Sequence, residues 1–297
     1  MDKMDKNGRS VHYPRKKQKI STKYLEWLIP IIGIAFMLFG LYTYDLIKTR
    51  SITANKEMTL KLGNEISNAL NSWISDQINI GKTLAADPRI IQACLYPENT
   101  EIRDAAEAFC ISTHRRFPYH ENIPLVIKLP EGKSFKRKIN NQWIQITNGT
   151  FFVDTVEGRT IGKCGTHISY IPPAFDGQDH FISEVYPSIL RGNPIFVISF
   201  PVKKDDQVLG ALLLSPQMGY FSEKFIEKTT FGKTGYLTMI DERGLIISHP
   251  QKELILRKEN GEKIKPLEKI KPLKKSNTLL VGSLRETYIF RINLKIG

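Results

Sequence analysis

The spacing of apolar positions changes three times along this chain, and each change predicts a different kind of element. From Trp27 to Tyr44 the run WLIPIIGIAFMLFGLYTY carries no charge, and Leu46 and Ile47 extend it beyond Asp45. That reaches the ~20 residues needed to cross a bilayer as a helix. Trp27, Tyr42 and Tyr44 sit at its ends, where interface aromatics are enriched. Pro30 and Gly33 are tolerated inside a membrane helix. The run is longer than the ~7–15-residue core of a signal peptide, and no small-x-small cleavage site follows it. From Ser51 to Leu95 the pattern becomes helical: Leu62, Ile66, Leu70, Trp73, Ile80 and Leu84 recur at spacings of three, four or seven and line one face. Asp87-Pro88 interrupts this helix near its end, and Tyr96-Pro97 stops it. A second helix runs from Glu101 to Phe117, with Ala105, Ala106, Phe109 and Cys110 inward.

After Pro118 the period shortens to two. Strands are predicted at Pro124–Leu129, Phe135–Ile139, Trp143–Thr147 and Phe151–Val156. A Gly- and Pro-containing loop, Lys163–Gly177, separates them from Phe181–Tyr186, Pro194–Val202 and Val208–Leu214, which turn at Arg191-Gly192 and Asp205-Asp206. Gly219 to Lys228 closes this part as a short amphipathic helix. Two helices followed by an antiparallel sheet predict a PAS-like α+β unit. Tyr236–Asp241 and Leu245–Pro250 then form a hairpin about Asp241-Glu-Arg-Gly244, in which Gly244 supplies the positive φ and Pro250 ends the ladder. Thr278–Leu284 and Glu286–Ile296 are the last strand candidates.

Charge adds orientation. The net charge is +13 over 297 residues, but it is concentrated in two stretches. Lys3, Lys6, Arg9, Arg15, Lys16, Lys17, Lys19 and Lys23 face only Asp2 and Asp5 ahead of the apolar run, which predicts a cytoplasmic N-terminus with everything beyond Lys48 outside. The late stretch, where Glu262–Leu267 is repeated at Glu268–Leu273 before Lys274-Lys275, reads as a solvated loop. Its predicted place outside the membrane argues against nucleic acid as a partner. Hydrophobic content of 41% and charged content of 25% are those of a folding chain.

The stretch Phe231–Pro250, FGKTGYLTMIDERGLIISHP, carries more than a hairpin signal. Its order of GKTGY, apolar strand, D-x-x-G turn and strand ending in His-Pro closely resembles the Cache family of extracytoplasmic sensor domains. A second match lies in Phe181–Pro216, where Ser183, Tyr186 and Ser188, then Gly192 and Pro194, then Pro201-Val202, fall at the places of the Cache core. The resemblance implies a double Cache layout over Ser51–Gly297. Residues 1–24 would be a cytoplasmic basic tail and 25–47 a transmembrane helix. Residues 48–228 would hold the stalk helix and a membrane-distal Cache domain, and 229–297 an incomplete membrane-proximal one. Family members continue through a second membrane helix and an output module, so the chain is expected to be a receptor of the methyl-accepting chemotaxis type cut before that helix. A histidine kinase, a cyclic-dinucleotide synthase or a stand-alone tethered binding protein would share the same sensor. The expected setting is the inner (plasma) membrane, single-pass, with the sensor periplasmic or extracellular and a homodimer formed through the stalk helix.

The resemblance also implies a small-molecule ligand between the distal sheet and the Lys163–Gly177 loop. Amino-acid-binding members carry an arginine there for the carboxylate and an aspartate on the strand after the Pro-Val turn for the ammonium. This sequence has Tyr170 but no arginine before it, and Ser215 at the aspartate's place, which argues against an α-amino acid. The candidate ligand-binding residues are Tyr170, Phe175, Asp179, Tyr186, Ser188 and Ser215: aromatic walls with a few polar points. Loop packing is the alternative role for Tyr170 and Phe175, and Tyr186 can equally be a core residue with its hydroxyl at the edge.

Other chemistry is weakly signalled. Cys110 and His114 lie at i, i+4, and Cys164 and His167 at i, i+3, but the spacing is not that of a standard zinc site, so no metal or cofactor is expected. Cys94, Cys110 and Cys164 allow one disulfide in an oxidising compartment, with the pair open. His249 matches the family's structural His-Pro ending. No nucleophile elbow, P-loop, G-x-G-x-x-G or H-E-x-x-H occurs, so an enzyme is not expected.

Overall fold

The computed structural model describes residues 22–231, 235–241, 243–257 and 288–293. The repeated Glu-Lys-Ile-Lys-Pro-Leu segment, the strand candidate Thr278–Leu284 and the Gly232–Thr234 turn lie outside these. The chain forms two compact units, Met1–Met58 and Thr59–Gly297. Within the first, the N-terminal part of helix α1 (Thr22–Ala85) is exposed along its apolar residues and is long and apolar enough to cross a membrane.

In the second unit the rest of α1 is amphipathic. Ile66, Leu70, Trp73 and Leu84 are buried, while Leu62 and Ile80 pack against the same cluster. The predicted stalk helix ends at Ala85 and not at Leu95, because Pro88 has no amide to continue the ladder. The Asp87 carboxylate caps a fresh helix, α2 (Pro88–Leu95), by accepting from the Arg89 amide at 2.9 Å. Asn99 caps α3 (Thr100–Arg116) in the same way at Ile102.

The central sheet is wholly antiparallel. Its strands are β1 (Leu125–Ile127), β4 (Phe151–Val153), β5 (Phe181–Ile182), β8 (Ile198–Lys204) and β9 (Gln207–Leu214), ordered β4-β1-β9-β8-β5. β2 (Phe135–Ile139) and β3 (Gln142–Ile146) form a separate hairpin, as do the short β6 (Tyr186–Pro187) and β7 (Pro194–Ile195). The single strands expected over Phe181–Tyr186 and Pro194–Val202 are therefore each split between two sheets. Asp205, at φ +52°, turns β8 into β9. The expected Gly219–Lys228 helix is a four-residue helix α5 (Met218–Phe221) running into a π turn over Ser222–Ile226.

Strand alternation sorts the sheet residues onto two buried faces. Leu125, Ile127, Ile198, Phe200, Val202, Leu212 and Leu214 join the cluster that includes the α1–α3 residues. Val126, Val197, Ala211 and Leu213 point the other way, into a smaller cluster with Tyr170, Ile171 and Ala174. That second face is covered by the Lys163–Gly177 segment, which contains a one-turn helix α4 (Ile171–Phe175) where the sequence predicts only loop. The helix face packs closely at one point: a Cβ at Gly81 would overlap the Phe200 ring.

A second sheet is built on β11 (Gly235–Asp241). It pairs antiparallel with β10 (Thr230–Phe231), β12 (Ile246–Ser248) and β13 (Tyr288–Asn293). The turn after β11 matches its sequence signature, with Gly244 at φ +75° and the Asp241 carboxylate accepting from the Arg243 and Leu245 amides at 3.0 and 2.9 Å. His249 is scaffolding: its Nδ1 accepts from the Gln251 amide at 2.9 Å and its ring meets Tyr236 edge-on at 5.0 Å. Trp73 stacks on Phe221 at 5.6 Å between α1 and α5, and the Ser222 and Ser248 hydroxyls join α5's continuation to β12.

The three cysteines are free. Burial pushes the Cys110 thiol up to about 12, and the Cys94 thiol also upward. Cys164 is exposed beside Thr166. His114 Nε2 bonds to the His120 carbonyl at 2.8 Å. Among the described residues no three His, Cys, Asp or Glu side chains gather to hold a metal.

Gly81→Val lowers stability by about 1–3 kcal/mol, because overpacking outweighs the gain in helix propensity; in a Phe200→Leu background the cost shrinks, which a urea-denaturation double-mutant cycle reads as non-additivity. The His120 ring is buried, with neither nitrogen partnered among the described residues, and desolvation pulls its pKa from 6.5 down to about 3. The folded chain keeps it neutral while the unfolded chain protonates below pH ~6.5, so its contribution is complete above that pH and falls as pH drops toward about 3. The fall is about 1.4 kcal/mol per pH unit within that window. Melting curves between pH 7.5 and 5 should show this loss, and His120→Leu should flatten it.

Candidate functional site

The segment that leaves α3 must pass from helix to sheet, and its residues 120–122 do so by pairing with the end of β9. The Glu121 amide donates to the Ser215 carbonyl at 2.8 Å, and the Ser215 amide returns to Asn122 at 3.3 Å. This lengthens the sheet beyond β1 and leaves Glu121 and Ser215 side by side at the edge of the second face. Over that face the chain folds back twice, first as the Ile168–Tyr170 turn and then as Ser183–Leu190. Between these layers lies a cavity of about 200 Å³. Its walls are mostly apolar: Phe151, Ile168, Ile195, Val197 and Leu213 among others. It is smaller than the ~300–1,000 Å³ of drug-sized sites, so it suits a metabolite of few heavy atoms.

The polar parts of the wall are held by a buried network. Asp154 accepts from the Val156, Gly158 and Thr160 amides and from the Thr160 hydroxyl, at 2.8–3.2 Å. Asn122 accepts from Thr155 through amide and hydroxyl, and donates to Thr160. The Ser183 hydroxyl accepts from the Val197 amide at 2.8 Å and donates to the Glu184 carbonyl at 2.9 Å. These bonds satisfy loop backbone that water cannot reach, which is what lets a loop-built wall be buried. They also leave the network's members with little freedom to rearrange.

Of the six residues singled out in the sequence, Tyr170, Tyr186 and Ser215 line this cavity. The two tyrosine rings stack almost parallel, 12° apart with centroids at 6.3 Å. Burial raises the Tyr170 hydroxyl's pKa. It raises Tyr186 well above the ordinary value, with Tyr170 and the Glu121 carboxylate adding to the effect, so both remain neutral phenols. The other three sit elsewhere. Ser188 is buried, and its hydroxyl accepts from the Leu190 and Arg191 amides, shaping the turn that carries the wall. Phe175 packs on the same face, and its carbonyl accepts from Lys128 Nζ at 2.7 Å. Asp179 is exposed and pairs with Lys82 Nζ at 2.6 Å and His180 at 3.0 Å, holding its carboxyl below the usual range.

Four lining residues carry no sequence signal. Glu121 and Asn122 fall in the irregular stretch between Pro118 and β1. Glu184 and Arg243 are brought together from 59 residues apart. Arg243 leaves the β11–β12 turn and reaches the cavity wall: Nη1 meets Glu184 Oε2 at 2.6 Å and Nη2 donates to the Val185 carbonyl at 2.6 Å. Nε and Nη2 also grip Asp241 Oδ2, at 2.8 and 2.6 Å. One guanidinium thus ties the second sheet to the strand segment that leads to Tyr186.

No curated protein matches the sequence. Among solved structures, the sensor domain of the V. cholerae histidine kinase DctB superposes with a TM-score of 0.55 at 12% identity, covering 70% of this chain and 71% of that one. The ligand-binding domain of the Pseudomonas aeruginosa PAO1 amino acid chemoreceptor PctC, in complex with GABA, gives 0.54 at 16% identity over 80% of this chain and 98% of that one. The ligand-binding domain of Mlp24 with asparagine gives 0.53 at 15% identity, over 82% and 93%. At these identities the likeness is one of fold. The sequence profile of the Cache domain family, dCache_1, matches residues 43–293, and the chain belongs to that family.

Proposed function

We propose that this chain is the sensing part of a membrane-anchored receptor, in which a small molecule bound in the cavity between the central sheet and its covering loops drives a signal. The cavity with its paired Tyr170 and Tyr186 is the observation that carries this reading. The apolar part of α1 and the lysines before it support a cytoplasmic N-terminus with the Cache domain outside, and the stalk helix is our candidate for a homodimer seam. The signalling path is chemotaxis of the methyl-accepting type, with the distal domain as the ligand-holding one. Kinase sensors share the fold, as the DctB likeness illustrates, and the same cavity would serve a histidine kinase equally well. The function is binding: most of the cavity's polar groups serve the loop hydrogen-bond network and its ion pairs, and the mostly apolar walls suit a held ligand.

Arg243 supplies a route out of the site. A ligand that repositions Tyr186 also moves Glu184 and Val185, which the guanidinium joins to Asp241 in the second sheet. Occupancy then shifts the population of the second sheet's arrangement through differential contacts in the two states.

Two measurements test this. Melting of the full chain in lipid nanodiscs, screened against amines, carboxylates, amino acids and purines, should reveal a compound that raises the melting temperature by mass action. That shift should vanish in Tyr186→Ala and Tyr170→Ala. Persistence of the shift in both variants contradicts the site. Arg243→Ala, which strands a buried carboxylate, should cost about 3–5 kcal/mol in urea denaturation, while Arg191→Ala on the exposed turn should cost under about 0.5 kcal/mol.

A further inference from the structure

The cavity holds one group with nothing to answer it. Glu121 is 2% exposed and lines the cavity, and among the described residues its Oε1 has no hydrogen-bond partner. A buried carboxylate left bare is expensive, so a site that keeps one needs a cation or a donor brought to it. The neighbours do not provide it. The Thr160 hydroxyl donates to Asp154 and the Ser183 hydroxyl to the Glu184 carbonyl. Among the described residues Arg243 is the one cationic side chain in the lining, and its Nε, Nη1 and Nη2 are all engaged by Asp241, Glu184 and the Val185 carbonyl. Counting Glu121, Glu184 and Asp241 against Arg243, the wall and its immediate support carry more negative than positive charge. Among the described lining residues no guanidinium or ammonium is left for an incoming carboxylate.

The geometry points to a small organic amine, bound as its ammonium ion with Glu121 as counter-ion, as the ligand class of this cavity. This rests on the reading of the cavity as the sensory site. The ammonium sits at Glu121 near Ser215, where a charge-assisted hydrogen bond forms in a dry setting. The near-parallel Tyr170 and Tyr186 rings flank the same space and favour a cation or its attached methylene groups over an anion. Phe151, Val197 and Leu213 accept the apolar remainder, and the cavity of about 200 Å³ limits its length. Burial first, then Tyr170 and last the Glu121 carboxylate keep the Tyr186 hydroxyl protonated, a second hydrogen-bonding group in the lining. A divalent metal fits poorly, since among the described residues Glu121 is not part of any group of three His, Cys, Asp or Glu side chains that could hold one. A zwitterionic amino acid would have its carboxylate facing Glu184 and the apolar wall.

The test is calorimetric titration of the full chain in nanodiscs with a charge series of near-equal size: n-butylamine, 1-butanol and butyrate, with phenethylamine as an aromatic member. The amines should bind at least tenfold more tightly than the alcohol, and butyrate should not bind. Glu121→Gln should weaken amine binding about 10–100-fold, the range of a hydrogen bond to a charged group, at an unchanged or raised melting temperature. Butyrate or butanol binding as well as the amine overturns the proposal without recourse to any variant, as does undiminished amine binding in a folded Glu121→Gln. If no amine binds but a compound of another class does, and its binding is lost in Tyr186→Ala, the amine assignment fails while the sensory site stands. If no compound of any class binds, both fall together.

Discussion

The fold rests on one constraint: the central sheet must bury both of its faces, and the chain has helices for only one. Strand alternation gives β8 and β9 two apolar sides. α1, with Gly81 against Phe200, closes the first side by ordinary helix-on-sheet packing. The second side is closed by loop and one-turn helix, whose backbone groups have no ladder of their own. Buried side chains help to satisfy the loop backbone around it: Asp154 and Asn122 accept from amides of residues 155–160, and Ser183 bonds to the Val197 amide and the Glu184 carbonyl. A cover built this way cannot fill space as a helix does. It leaves the cavity, and it fixes the cavity's polar points as a by-product of its own hydrogen bonding.

That arrangement also explains why the site connects to the rest of the unit. The chain over Phe181–Leu190 belongs to neither sheet for its whole length: it pairs briefly at β5 and again at β6. Between those pairings Glu184 and Val185 need partners, and Arg243 supplies them from the β11–β12 turn. A wall that is loosely paired to its own sheet and firmly tied to the next is suited to transmit displacement.

Much of this was legible from residue pattern alone. The stripe from Leu62 to Leu84 reports the buried face of α1, and Asp87-Pro88 the break after it, because helical period and proline chemistry are local. The Asp241–Gly244 turn is equally local. The split of Phe181–Tyr186 between two sheets was hidden, since a run of alternating residues does not say which partner each half pairs with. The same holds for the site. Tyr170, Tyr186 and Ser215 stand at family positions and line the cavity, whereas Phe175, Asp179 and Ser188 serve packing, a surface ion pair and a turn. Glu121 and Arg243 had no periodic signature: one is placed by a short antiparallel bridge to Ser215, the other by a contact 59 residues away. Their roles are tertiary, and only the folded chain displays them.

The central claim is that a molecule in the cavity is felt beyond it, and backbone hydrogen exchange of the full chain tests this most directly. The chain would be followed alone and with the compound that most raises its melting temperature. Slowed exchange in Ser183–Val197 together with Tyr236–Ile247 is the predicted result, as ligand and Arg243 jointly hold wall and hairpin. Protection confined to segments remote from the cavity, or none in either stretch despite a thermal shift, would contradict it.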